Sequence, residues 1–367
     1  MRAATVPPGW AVAQTTAGAR LAVDPALGNI RALSLVDGDR LIAPLHQAPW
    51  LQEPEVQADD SLLPVERKLA GDFLCMPFGA SDLDDVPAHG WPANSAWDVV
   101  PAMYGELCLI LKRRVQGAGI AKYQCLAPDA PLLYQFHVIE GGTGGVTLAY
   151  HPMIHMAGGG TFSTSPKRLA LTPDTPLEPG RNRLARGTQT ADLSAVPAEG
   201  GGTVDLADLP IGTAHEDFIT LVEAPGTDLG WSAVLRHTED DIVFTLKDPH
   251  ILPITMLWHS NAGRDYAPWN SRHTGVLGIE DGIAAGAAGH RAALGPNPIA
   301  DLGVPTALQL ADGKTHRIAQ VIGAIARPDG WTRVQDIHIE GAELIIQGDT
   351  GHPRRLPFLA NFLTGET

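Results

Sequence analysis

Three short runs of this chain hold side chains able to move protons. The run GDFLCMPFGASDLDDVPAHGWPANSAW, residues 71–97, reads as a short apolar strand over Phe73–Met76 that breaks at Pro77 and Gly79. It continues through an acidic loop (Asp82, Asp84, Asp85) to His89-Gly90-Trp91-Pro92 and closes on Trp97. A histidine beside a glycine places a titratable ring where the backbone can turn sharply, and the tryptophans offer broad apolar faces of the kind that stack on small ligands. The second run, VTLAYHPMIHMAGGG, sets His151 at a strand end, where Pro152 stops the pairing. His151 and His155 have the i, i+4 spacing of a helical metal pair, but the intervening proline and the missing glutamate argue against that motif.

The third run, LWHSNAGRDYAPWNSRHTGVLGIEDG, crowds Trp258, Arg264, Trp269, Asn270 and Arg272 into an irregular segment, which suits a binding loop. The apolar strand Gly275–Ile279 follows, then Glu280-Asp281. A carboxylate held at a sheet rim suits a general base. Each feature also has a plain structural reading: a turn at His89-Gly90, a strand-end cap at His151, a solvated acidic turn at Glu280-Asp281-Gly282. Residue types alone leave both readings open.

The elements that position these residues read as strands. Glycine (40) and proline (30) are abundant in the 367 residues, and charged residues make up only 18%, a balance expected of many turns joining short, buried strands. Hairpins are expected at Asn29–Val36 with Arg40–Ile42 across Asp37-Gly38, where Asp-Gly is a strong turn signal. Others are expected at 106–115 with 120–126, 132–140 with 146–151, 231–237 with 242–247, 306–310 with 315–319, and 334–340 with 343–347. Helical patterns are confined to a possible turn at 65–69 and an Ala-rich stretch at 284–294. Residues 157–215 are a long connection or a flap over a site. The expectation is one all-β domain over 1–367, a large antiparallel β-sandwich, with an irregular lead-in at 1–17 and C-terminal strands at 326–367.

A formal net charge of −15 argues against binding nucleic acid or an anionic membrane surface. Three scattered cysteines make neither a disulfide framework nor a zinc cluster. With no apolar leader segment in view, a cytoplasmic location is expected.

In order, the three runs resemble the aldose 1-epimerase (galactose mutarotase-like) superfamily. His89-Gly90 with Trp97 looks like the family's first histidine loop, His151-Pro152 like its strand-end histidine, and Glu280 in VLGIED like its late glutamate. RLAVDPALGNIRALSL is similar to the opening hairpin and GVPTALQLADGKTHRIAQVIGAI to the closing strands, so the resemblance spans residues 19–325. It implies the mutarotase-like supersandwich, with Glu280 as base, His151 as acid, His89 as a hydrogen-bond partner near the sugar ring oxygen, and no metal or organic cofactor. The implied partner is a small carbohydrate, bound by a monomer or homodimer.

Two departures bear on the substrate. Asp72 stands where the family carries an arginine that grips sugar hydroxyls, and Trp91-Pro92-Ala93-Asn94 replaces the usual Phe-Ala-Arg. Arg264 and Arg272 would then supply the cation from another loop, as suits an acidic or phosphorylated sugar. Asp72, Trp91, Trp97, Trp258, Arg264, Trp269, Asn270 and Arg272 form the expected binding set. A carbohydrate-binding protein without turnover is one alternative. A saccharide hydrolase or lyase using Tyr150 or Tyr266 is another, and a metal site at His89, His151 and His155 is a third.

Overall fold

A computed structural model describes residues 7–80, 82, 83 and 85–365 of the chain. Asp84 of the acidic loop and residues 1–6 of the lead-in lie outside the described residues.

Two large antiparallel sheets face one another. The nine-stranded sheet runs, edge to edge, through Asp208–Leu209, Gly160–Thr164, Gly230–Arg236, Asp241–Lys247, Thr315–Ala326, Leu132–Glu140, Gly119–Leu126, Glu106–Leu111 and Trp97–Val100. The eight-stranded sheet runs through Gln189–Thr190, Lys167–Leu171, His215–Glu223, Ile254–Asn261, Val276–Ile283, Leu148–Tyr150 and Leu74–Cys75, with Met153–His155 also paired to Val276–Ile283. Alternation along these strands sends Ile219, Leu221, Leu257, Leu277 and Ile279 inward, where they join Leu133, Val234, Val243 and Ile322 of the other sheet in one core. The intervening residues Phe218, Met256 and Trp258 face the outer side and build a second apolar layer with Trp50, Phe73 and Trp269.

A four-stranded N-terminal sheet (Ala11–Gln14, Arg20–Asp24, Asn29–Asp37, Arg40–Ile42) and a three-stranded C-terminal sheet (Val334–Glu340, Glu343–Gly348, Arg354–Pro357) complete the architecture. The C-terminal sheet packs Trp331, Leu344, Ile346 and Phe358 against Trp231, Phe244 and Val321 of the nine-stranded sheet.

Four of the expected hairpins form, the one at Asp37-Gly38 among them. Two do not. Leu132–Glu140 pairs with Thr315–Ala326 and Gly119–Leu126, while the glycine-rich connector carries the chain across to the other sheet, where Leu148–Tyr150 pairs with Val276–Ile283. Leu308–Leu310 likewise pairs with Gly144–Val146 rather than with Thr315–Ala326. Alternation identifies a strand but not its partner. The lead-in holds the strand Ala11–Gln14. The two helical stretches reduce to Pro64–Arg67, and to Gly286–Ala288 with His290–Leu294.

Candidate active site

Glu280 lies within the strand Val276–Ile283, not in a turn beyond it, and sits opposite Met256 of the next strand. Alternation points Glu280 to the outer face and Asp281 into the core. There Asp281 accepts hydrogen bonds from Thr245, Thr255 and Gln320, with the Lys247 ammonium 3.3 Å away. Space for the Glu280 carboxylate comes from Gly278: a Cβ added there would lie 3.1 Å from Glu280 Oε1 and 3.2 Å from Trp258 Cβ.

His151 falls between the strands Leu148–Tyr150 and Met153–His155, both paired with the strand that carries Glu280. Pro152 has no N–H to offer the ladder, and its carbonyl accepts from Ile279 at 2.9 Å. The His151 backbone N–H donates to Asp72 Oδ1 at 2.9 Å, and Phe73 stacks on the imidazole at a centroid distance of 4.5 Å. The ring is thereby presented to Glu280, with Nε2 3.0 Å from Oε1. Burial disfavours the charged ring, but the Glu280 carboxylate and, more weakly, Asp72 outweigh it and hold the His151 pKa above the ordinary histidine value.

His89 adopts a left-handed backbone, φ 64°, and Gly90 follows at φ 72°. A Cβ on Gly90 would fall 1.9 Å from the Met76 carbonyl oxygen, so the residue after this histidine must be glycine. The His89 ring stands edge-on to His151 at 5.7 Å, and its Nδ1 faces Cys75 Sγ at 3.3 Å. Burial, then the neighbouring His151 and Arg264, push the His89 pKa down to about 3. Burial first, then Glu280 and Asp72, raises the Cys75 thiol far above its ordinary value. In the tautomer that carries the His89 ring proton on Nε2, the protonated thiol donates to Nδ1 and the Nε2–H is available to a ligand.

His89, His151 and Glu280 line one cavity of about 230 Å³, walled by Phe73, Phe218, Trp258, Trp269 and Arg264. Trp258 is fixed by donating to Glu216 at 2.9 Å. The Arg264 guanidinium lies 4.3 Å from the Trp269 ring centre, with Nε 3.0 Å from Glu178 and 4.0 Å from Glu216. Leu177 also lines the cavity. Part of 157–215 therefore borders the site, while its ends are ordinary strands of the two large sheets.

The other expected binding residues are elsewhere. Asp72 is buried, held by the His151 N–H and by Gln135 donating at 2.7 Å, so its carboxylate supports His151 from behind. Trp97 is buried in the inter-sheet core and donates to the Pro92 carbonyl. Trp91 belongs to the short helix Gly90–Asn94, and Arg113 covers its ring at 4.1 Å. Arg272 is paired with Glu53 and the Pro268 carbonyl, which fastens the loop, and Asn270 is exposed on that loop away from the cavity. The two-arginine clamp is not assembled.

The alternative chemistries also lose their groups. Tyr150 is buried, donating to the Ile318 carbonyl, and Tyr266 donates to Glu178 on the outer surface. His155 turns away to His46, 3.3 Å between Nδ1 atoms. Sequence reasoning missed Phe73, Cys75, Glu178 and Glu216. Phe73 and Cys75 carry a faint signal, as alternate residues of the short strand before the His-Gly turn; Glu178 and Glu216 carry none.

The fold is that of the galactose mutarotase-like sandwiches. A candidate aldose 1-epimerase from Escherichia coli K12 superposes with a TM-score of 0.57 at 15% identity, covering 86% of this chain and 99% of that one. An aldose epimerase homologue from C. elegans gives 0.56 at 11% identity over 87% and 99% of the two chains. A galactose mutarotase-like protein from Lactobacillus casei gives 0.55 at 10% over 86% and 100%. No known family model matches the sequence, and no curated protein matches it significantly.

Proposed function

We propose that the chain is an aldose 1-epimerase-like isomerase that interconverts the anomers of a hexose. The observation that carries this reading is the His151–Glu280 pair, 3.0 Å apart on the floor of a cavity that also holds His89. Glu280 takes the proton of the anomeric hydroxyl while the His151 imidazolium gives one to the ring oxygen. The C1–O5 bond breaks and the anomeric oxygen becomes the aldehyde carbonyl. After rotation about C1–C2, His151 takes the proton of the C5 hydroxyl, that oxygen attacks the other face of C1, and Glu280 returns its proton to the new anomeric oxygen. Both residues end as they began. The neutral His89 donates from Nε2 to the sugar without competing for the proton. Trp258 and Trp269 supply apolar faces for the ring.

A neutral hexose suits the cavity better than an acidic or phosphorylated one. Arg264 is the one lysine or arginine lining it among the described residues, and Glu178 and Glu216 already offset its charge.

The test is polarimetric mutarotation kinetics on a panel of hexoses. His151→Asn and Glu280→Gln are each expected to lower kcat by about 10²–10⁴-fold, and the double variant to lose little more than the worse single one, because the two act as a unit. Independent, multiplicative losses would contradict the pairing.

A further inference from the structure

The outer face of the eight-stranded sheet does not end at the cavity. Glu280 stands opposite Met256, Met256 opposite Thr220, Thr220 opposite Leu171, and Leu171 opposite Gln189. This register row crosses five strands in a straight line. With strands ~4.8 Å apart, Thr220 lies about 10 Å from Glu280. At that distance a second depression of about 460 Å³ opens, lined by Thr220, Leu171, Gln189, Thr188 and Asp174. It shares the wall residue Ala287 with the cavity that holds the histidines.

The chemistry of this groove is specific in kind. The Thr220 hydroxyl faces Gly286, which keeps the wall back: a Cβ there would lie 2.4 Å from Thr220 Oγ1. Thr188, Gln189 and Asp174 add a hydroxyl, an amide and a carboxylate, while among the described residues no lysine or arginine lines the groove. Hydroxyls, an amide and one carboxylate recognise a neutral polyhydroxylated group and repel an anionic one.

We propose that the groove is a subsite for a second, neutral sugar unit, so that the preferred substrate is a reducing disaccharide or longer saccharide whose terminal anomeric centre sits at His151 and Glu280. The proposal rests on the isomerase reading for the position of the anomeric centre. Binding energy from the second unit raises kcat/KM without touching the reacting atoms.

The experiment compares glucose and galactose with maltose, cellobiose and lactose, using the native chain and Ala288→Trp. Ala288 is an exposed residue of the groove wall outside the catalytic cavity. In the native protein at least one disaccharide is expected to exceed its monosaccharide in kcat/KM by about tenfold or more. Ala288→Trp should remove that advantage and leave the monosaccharide within about twofold. Gln189→Trp, on the other wall, should repeat the result if the first variant folds poorly. Equal kcat/KM for every monosaccharide and disaccharide pair, or equal losses for both in the groove variants, would overturn the proposal. So would glucose 6-phosphate gaining as much as the disaccharides. If no sugar is turned over, the isomerase reading fails, and the groove is judged by NMR: disaccharide-specific shifts of the Thr188, Gln189 and Thr220 amides, abolished by Ala288→Trp, support it, and their absence overturns it.

Discussion

His151 is held between opposing influences, since burial pulls its pKa down while Glu280 and Asp72 pull it up and prevail. Its imidazolium therefore persists above pH ~6.5, the ordinary histidine value, and is lost only as pH rises through the elevated pKa. The alkaline limb of kcat/KM is expected above that pH. In Glu280→Gln the main raising influence is gone and burial wins, so NMR titration of His151 should place its pKa below ~6.5; an unchanged titration would show that the pair is not electrostatically coupled. Donation from the Cys75 thiol to Nδ1 would hold His89 in the tautomer protonated on Nε2. Cys75→Ala is expected to lower kcat/KM by about tenfold, the worth of one hydrogen bond. In the same variant, imidazole ¹⁵N shifts should report a mixed tautomer, whereas Cys75→Ser, which keeps a donor, should preserve both.

At the scale of elements, the turn at His89-Gly90 and the strand Val276–Ile283 set the geometry. Gly90→Ala would drive a Cβ into the Met76 carbonyl at a positive φ, and a loss of about 2–3 kcal/mol in denaturant unfolding is expected. Wild-type stability in that variant would mean that the turn has room to relax. This turn was legible in the sequence, because His89-Gly90 follows a strand broken at Pro77 and Gly79, but the short helix Gly90–Asn94 after it was not. The position of Glu280 was less so. VLGIEDG reads equally as strand-then-turn, and only pairing with Ile254–Asn261 and Leu148–Tyr150 shows that the strand continues through Glu280 and Asp281. Trp91 and Trp97 resemble site aromatics in composition, yet the helical turn at Gly90–Asn94 turns one under Arg113 and buries the other. Side-chain direction after a turn depends on tertiary packing, which no local pattern encodes. Cross-sheet partners escaped for the same reason: the connector at 141–145 looks like a hairpin turn and is a crossing.

Across the whole molecule, the space between the sheets holds a continuous polar chain behind the site. Lys167 and Lys247 share Glu223; Lys247 approaches Asp281; Gln320 donates to Asp281 and Gln135 to Gln320 and Asp72; and Asp72 accepts from the His151 backbone. Buried charges persist only while every partner is present. Lys247→Met would leave Asp281 without its cation and Glu223 with Lys167 alone, and a destabilisation of about 3–5 kcal/mol is expected by chemical denaturation. A value near zero would mean that water replaces the ammonium.

The most direct test of the central claim is magnetisation-transfer NMR between the α and β anomers of hexoses and reducing disaccharides with the native chain and with Glu280→Gln. The account predicts exchange well above the buffer rate for the native protein, lost in Glu280→Gln while the fold is retained. Exchange at the buffer rate for every sugar, or equal acceleration by both proteins, would contradict it.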